Sequence, residues 1–460
     1  MSILSLIGYK ISVKASTDVI YVPTDYPAIQ EAINSATSGD TIFVYKGIYY
    51  EHVVINKSVS LVGEDRDLTI IDGSEIGSVI SITVDNVTLK GFTIKNSGMH
   101  PYNSGIQIEH SSGNIISHNK ITNNSNGIGF YTSSNNVVCG NTISSNDYDG
   151  IGFYTSSNNV VCGNTISSND YDGIYLAFVS HNNTIYHNNF NNINQVGVDL
   201  TNIWNYGGEG NYWSDYIGQD LNGDGIGEDP YVIDANNRDN CPLMGMFSDC
   251  SVTLKRKTYH VATICNSTIC DFIFEIGAET GNRIMRFNAT GEDSAVGFCR
   301  VAIPTELMVH PFIVLVDEEE IVPKLLDVPN ETRVCIYFTY AHGSHAITII
   351  SSKTLYLYNE LLDKYAKLQI DTLNLNVTNY DLQNNYDILL GNYSQLQENY
   401  RELNNSYQEH LLDYSENVQN IRSLMYTFAA TTAIFLMTTI YLSKHAHKSI
   451  ATRTKVFEEK

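Results

Sequence analysis

Short apolar runs, each alternating between two faces, recur along the first half of the chain at a fixed interval. Residues 128–150, IGFYTSSNNVVCGNTISSNDYDG, are repeated without a change at 151–173, a period of 23 residues. Diverged copies flank them at 106–127 and from Ile174 onward. Ile106 and Ile108, Ile128 and Phe130, Ile151 and Phe153, and Ile174 and Leu176 have the spacing of strand residues on one face. A unit this small cannot bury its own apolar face, so copies must stack. Stacking at ~4.8 Å per rung sets like over like in a parallel β-coil. Asn114, Asn136, Asn159 and Asn183 then form one column, and Asn119, Asn141, Asn164 and Asn188 a second. An Asn at a bend can bond its own backbone and the Asn of the next rung. Gly105, Gly127, Gly150 and Gly173, preceded by Ser104, Asn126, Asp149 and Asp172, read as another bend, where Gly takes positive φ.

The pattern changes twice more. Over 251–352 the Asn columns stop and about seven β-rich runs follow, which predicts a β-sandwich. Its cysteines allow pairs such as Cys265 with Cys270, Cys299 with Cys335, and Cys241 with Cys250, with the connectivity open. Over 354–423 a heptad takes over. Position a carries Tyr358, Tyr365, Thr372, Asn379, Tyr386, Tyr393, Tyr400, Tyr407, Tyr414 and Ile421, and position d carries Leu361, Leu368, Leu375, Leu382, Leu389, Leu396, Leu403, His410, Asn417 and Leu424. That spacing predicts a coiled-coil stalk, and with it a homo-oligomer. Residues 424–443 contain no charge and have the length of one transmembrane helix.

Charge then assigns sides. The tail at 444–460 carries Lys444, Lys448, Arg453, Lys455 and Lys460 against Glu458 and Glu459, which places it in the cytoplasm and the rest of the chain outside a cell membrane. Residues 1–17 would then hold an export signal, though Lys10 interrupts its apolar run. Ten N-x-S/T sequons all fall on the outer side. The net charge of −23 is that of the whole chain, its acidity lies in that ectodomain, and it argues against nucleic-acid binding, where Lys and Arg must neutralise phosphates.

Upstream of the repeats, residues 25–65 open with an amphipathic helix bearing Ile29, Ile33 and Ala36 on one face, an expected cover for the open end of a strand stack. This helix (PAIQEAIN), the Gly39-Asp40-Thr41-Ile42 start and the two Asn columns resemble the right-handed parallel β-helix of the pectin-lyase-like superfamily, especially its NosD-like branch. The resemblance covers about residues 18–247. The segment from Asn211, NYWSDYIGQDLNGDGIGEDPYVID, resembles the ending of archaeal NosD-like surface proteins. It implies a fold far more than a function. Copper delivery, implied by the NosD name, would need a His, Met or Cys cluster, and His110, His118, His181 and His187 are scattered along loops and bends.

Candidate chemistry is sparse. Enzymes of this superfamily use clustered carboxylates, and only Asp147, Asp149, Asp170 and Asp172 stack here. Because Asp149 and Asp172 share a column with Ser104 and Asn126, turn composition accounts for them better than catalysis. Duplication of a whole rung would also move a catalytic residue by ~4.8 Å, where ~1 Å already matters. Tyr131 and Tyr154 align one rung apart on the outer face, with Tyr148 and Tyr171 in the neighbouring bend. Such aromatics could hold sugar rings, against the competing reading of ordinary cross-rung packing. Cys139 and Cys162 share a column with Ser117 and Tyr186 and face out, in a parallel register poorly suited to a disulfide. Asp220, Asn222, Asp224 and Glu228, with Gly225 in sixth place, match the start of a calcium loop, although Tyr231 stands where a bidentate carboxylate belongs.

The expectation is a mainly β, membrane-anchored cell-surface protein for adhesion, envelope structure or glycan binding. Its partners would be surface glycans or envelope proteins, and a structural Ca²⁺ its one cofactor. The rival reading is a tethered polysaccharide lyase or glycoside hydrolase.

Overall fold

The computed structural model describes residues 18–292, 296–327, 332–391 and 399–443. The N-terminal segment 1–17 and the basic tail 444–460 lie outside the described residues. Residues up to Glu360 form one compact unit and those from Leu361 another.

The alternating runs form a right-handed parallel solenoid of about eight turns. Its three sheets contain eight, eight and seven strands. In the repeated rung, Val137–Cys139 lies in the first sheet, Thr142–Ser144 in the second and Ile151–Tyr154 in the third. The next rung pairs in register: Val138 faces Val161, Ile143 faces Ile166 and Phe130 faces Phe153. All six are fully buried, so each added rung extends the same apolar ladders. The helix Ile29–Ser35 buries Ile29, Ala32 and Ile33 in this core. The Glu51 carboxylate accepts the amides of Ile29 and Gln30 at its N-terminus.

Corners between sheets leave backbone groups without a strand partner, and buried amides satisfy them. Asn141 donates its main-chain N–H to Oδ1 of Asn164 at 2.9 Å and its Nδ2 to the same oxygen at 3.0 Å. Nδ2 also reaches the carbonyl of Ile116 at 2.8 Å. Both expected Asn columns are built this way, and a third joins them at Asn124, Asn146, Asn169 and Asn192.

The Gly105, Gly127, Gly150 and Gly173 column corrects the expectation of a positive-φ bend. Gly105, Gly127 and Gly173 lie within third-sheet strands, and none of the four is among the positive-φ residues. Close approach is the reason for Gly: a Cβ on Gly150 would sit 2.6 Å from the Gly173 carbonyl oxygen. Left-handed backbone occurs elsewhere, at His118, Gly140, Gly163 and His187, with φ of 55°, 67°, 64° and 59°.

From Met246 two antiparallel five-stranded sheets follow, running to Ser351. Val261, Val301 and Phe338 of one sheet and Met285, Phe287 and Ile349 of the other share one buried cluster, the core of a sandwich. Helices Lys353–Gly391 and Asn399–Ser443 complete the described chain. Heptad residues Leu361, Leu368, Leu375 and Leu382 are exposed along the first of them. Among the described residues no helix is long and apolar enough to cross a membrane. The side chains of Phe428, Phe435 and residues 437–443, inside the span expected at 424–443, lie outside the described set.

Candidate functional site

A cleft of about 1250 Å³ lies between the solenoid corner that joins its first and second sheets and the antiparallel sheet beginning at Met246. Its floor is the left-handed column His118, Gly140, Gly163 and His187, one residue per rung. The His118 ring lies over Gly140, and the Phe247 ring lies over Gly163 and stacks on His187 at 4.1 Å and 13°. The two glycines therefore leave a stretch of bare backbone between rings. Cys139, Cys162 and Tyr186 form the wall on the first-sheet side, in the register expected for their column. Burial lowers the proton affinity of His118, opposed by Asp249, which favours a neutral ring.

Glu209 holds the cleft together. Its Oε2 is 2.6 Å from His187 Nε2, and its Oε1 is 2.5 Å from Arg300 Nη2 on the sandwich side. Burial pushes this carboxyl up, but the His187 hydrogen bond and the Arg300 charge outweigh it and hold it below its ordinary value. Arg300 is only 7% exposed, so removing Glu209 would strand a buried charge. Arg66, Lys324 and Arg333 also line the cleft, and among the described residues none of them forms an ion pair.

The calcium-like loop adjoins this cleft. Asp220 accepts the amides of Gly223, Asp224 and Gly225, Asp224 accepts that of Ile226, and Glu228 accepts those of Leu221 and Asn222. Lys324 Nζ bonds the carbonyls of Asn222 at 2.6 Å and Gly223 at 3.2 Å, and Arg300 Nη1 that of Asp224 at 3.1 Å. The loop is thus held by its own amides and by two side-chain cations.

The other candidates meet on the third sheet, away from the cleft. The rings of Tyr131 and Tyr154 stack at 5.0 Å and 10°, lying back over Gly129 and Gly152. On its other side Tyr154 meets Tyr175 at 6.1 Å and Phe178 at 6.3 Å, so these rings spend their faces on one another. Burial pushes the Tyr131 phenol up to about 12. Tyr148 and Tyr171 stack at 5.3 Å in the neighbouring bend, and Tyr171 is exposed.

Asp149 is buried and Asp172 half-buried, whereas Asp147 and Asp170 are exposed. Burial raises the Asp149 carboxyl to about 6 and raises Asp172 as well. Asp149 Oδ1 accepts the Asp172 amide at 3.3 Å, just as Asn126 Oδ1 accepts the Asp149 amide at 3.3 Å. The two carboxylates therefore continue an amide-acceptor column.

Sequence reasoning missed the cleft. The alignment of His118, Gly140, Gly163 and His187 was readable from the repeat. The Glu209–Arg300 pair, 91 residues apart, left no local signal.

Residues 33–218 match the family described as "Periplasmic copper-binding protein (NosD)". No curated protein matches the chain. Among solved structures, a mutant of the periplasmic alginate epimerase AlgG is 21% identical over 37% of this chain and 39% of its own, with a TM-score of 0.24. The unmutated epimerase is 17% identical over 40% and 53%, with a TM-score of 0.29. Pectin methylesterase PemA from Erwinia chrysanthemi is 13% identical over 42% and 73%, with a TM-score of 0.30. This chain therefore spans about half or less of the epimerase's length, and identities this low concern the fold alone.

Among the described residues no group of three or more His, Cys, Asp or Glu side chains is placed to hold a metal ion, and Cys139 and Cys162 gain no third ligand of that kind. The described His, Cys, Asp and Glu side chains therefore do not fit copper. Residues 33–218, which fold as a right-handed parallel β-helix, thus match the NosD family model.

Proposed function

We propose that this is a surface-displayed, non-catalytic β-helix protein that binds glycans in the cleft between its solenoid and its sandwich. The observation that carries the reading is the cleft floor. His118, Gly140, Gly163 and His187 stand one per rung, so the floor repeats over roughly 14 Å. A polymer of repeating units suits a floor of repeating units. Tyr206, Tyr186 and Phe247 offer apolar ring surface, and Arg66 and Arg333, which form no ion pair among the described residues, offer donors. Tyr206 is 65% exposed, which makes it the ring most accessible to a sugar. The test is an array of immobilised glycans probed with the detergent-solubilised full chain. Binding to at least one glycan, weakened about tenfold by Tyr206→Ala, supports the reading, and an array with no binding defeats it.

A catalytic reading has one observation in its favour: the Asp149 and Asp172 carboxyls stand one rung apart, and burial raises both. It would make the protein a polysaccharide lyase or hydrolase. Release of reducing or unsaturated ends from a bound glycan, abolished by Asp149→Asn, would establish it.

Display at a membrane rests on residues 424–443, which contain no charge. Sedimentation with membranes that survives carbonate extraction is its test. The exposed Tyr and Leu seam of helix Lys353–Gly391 suits a second copy of the chain. A full chain that sediments as a strict monomer in detergent would contradict that oligomer.

A further inference from the structure

We propose that Cys265 and Cys299 are joined by a disulfide in the folded protein. They stand directly opposite each other on antiparallel strands Lys257–Cys265 and Val296–Pro304. Opposed residues of an antiparallel pair have Cα atoms ~4.5–5.5 Å apart, inside the window a disulfide requires. Both residues are fully buried.

The remaining cysteines of the two sheets lack such a partner. Cys250 faces Val261, Cys270 faces Asn288 and Cys335 faces Ala302. The pairing of Cys265 with Cys270 and of Cys299 with Cys335, open from sequence, therefore gives way to a single cross-strand pair.

The surroundings favour Cys265 as the sulfur that reacts first. Its Sγ receives the Ser267 amide at 3.4 Å and lies 3.4 Å from the Tyr340 hydroxyl. Ser267 Oγ joins that hydroxyl at 2.7 Å and His342 Nε2 at 2.8 Å, so a short polar chain runs from His342 to the sulfur. The neighbouring Cys299, and after it Tyr340 and Ser267, pull the Cys265 thiol down to about 7, whereas burial and then Cys265 push Cys299 up.

The oxidant is a small-molecule disulfide such as oxidised glutathione. Cys265 thiolate attacks one of its sulfurs and expels a thiolate, giving a mixed disulfide. Cys299, after losing its proton, attacks Cys265 sulfur and expels the second thiolate. Two protein thiols lose two electrons and two protons, and the oxidant leaves as two thiols. Because both sulfurs are sealed in the closed sandwich, the exchange takes place late in folding, after the strand pair and the Ser267–Tyr340 contacts have formed and before the two sheets close. The link would brace two strands that line the cleft, since Arg300 follows Cys299 and His260 shares the strand of Cys265.

The full chain, unfolded and reduced, is refolded in a mixture of reduced and oxidised glutathione, alkylated and mapped by mass spectrometry without reductant. A peptide joining Cys265 to Cys299, separated by reduction, is the expected result. Refolded protein in which both carry the alkyl label overturns the proposal. Refolding with excess reductant should lower Tm by roughly 5–10 °C in the native sequence and leave a Cys265→Val/Cys299→Val variant unchanged. An equal drop in both also overturns it.

Discussion

The main-chain N–H of Asn211 donates to Oδ2 of Asp239 at 2.7 Å, in a column where every earlier acceptor is an Asn amide. Trp213 Nε1 reaches the same oxygen at 3.0 Å, and the Cys241 amide reaches Oδ1 at 3.0 Å. The last rung thus ends the ladder on a carboxyl that is fully buried.

Burial raises the Asp239 carboxyl to about 6, against four donated hydrogen bonds that lower it. An unfolded Asp titrates near ~3.9, so between those pH values the folded protein keeps a proton that the unfolded chain has released. Stability from this group is therefore greatest at low pH and is lost as pH rises through about 6. Glu209 has the opposite sign: its carboxyl is held low, so its contribution is present above ~4.3 and disappears as pH falls through the folded value. Thermal melts should place the highest Tm near pH ~5. Asp239→Asn, which keeps an acceptor oxygen without the charge, should raise stability at pH 8 by on the order of 2 kcal/mol. A Tm that climbs steadily from pH 5 to 8 in the native sequence would contradict this.

Within the ladder, each Asn serves two rungs. Asn164 Oδ1 accepts two bonds from Asn141, and its Nδ2 reaches the carbonyls of Val138 and Cys162. Asn164→Ala leaves those groups buried without partners and should cost about 2–4 kcal/mol in denaturant unfolding. An effect below about 0.5 kcal/mol would mean that the ladder is decorative.

The two glycine columns, one holding Gly150 and the other Gly163, should differ in how badly they tolerate a side chain. Gly150→Ala drives a Cβ to 2.6 Å from the Gly173 carbonyl oxygen, whereas Gly163→Ala meets Phe247 at 3.6 Å and suffers mainly from its positive φ. Destabilisation of about 2–3 kcal/mol for the first and about 1 kcal/mol for the second is expected from chemical denaturation. The reverse order would refute the close-approach explanation.

Asp220, Asp224 and Glu228 are engaged by loop amides, and Lys324 and Arg300 bind the loop carbonyls. The loop should therefore hold its conformation without calcium. Chelator is expected to leave Tm unchanged, and Lys324→Met to lower it by about 1 kcal/mol in stability. A calcium-dependent rise in Tm that Asp220→Asn abolishes would instead establish the metal.

The repeat made the rungs, the two Asn columns and the capping helix legible, because one residue per rung repeats a single physical demand. Its limit shows at Gly127 and Gly150. A column of Gly signals that no Cβ is tolerated but does not say whether φ or crowding is the cause. The third Asn column escaped for a different reason: Asn123 and Asn124, and Asn191 and Asn192, are doublets in an Asn-rich chain, so the ladder member has no distinguishing neighbour. The cleft was hidden because it depends on where the sandwich folds back. Nothing near Arg300 in the chain announces Glu209.

The central claim is that the cleft binds a glycan and leaves it intact. The most direct measurement titrates the strongest array ligand into the full chain, Tyr206→Ala and Asp149→Asn/Asp172→Asn, then determines the mass of the recovered glycan. The account predicts saturable binding, an affinity about tenfold lower for Tyr206→Ala, no change for the double Asp variant, and a glycan of unaltered mass. Binding indifferent to Tyr206, or a cleaved glycan whose cleavage stops in the double Asp variant, would contradict it.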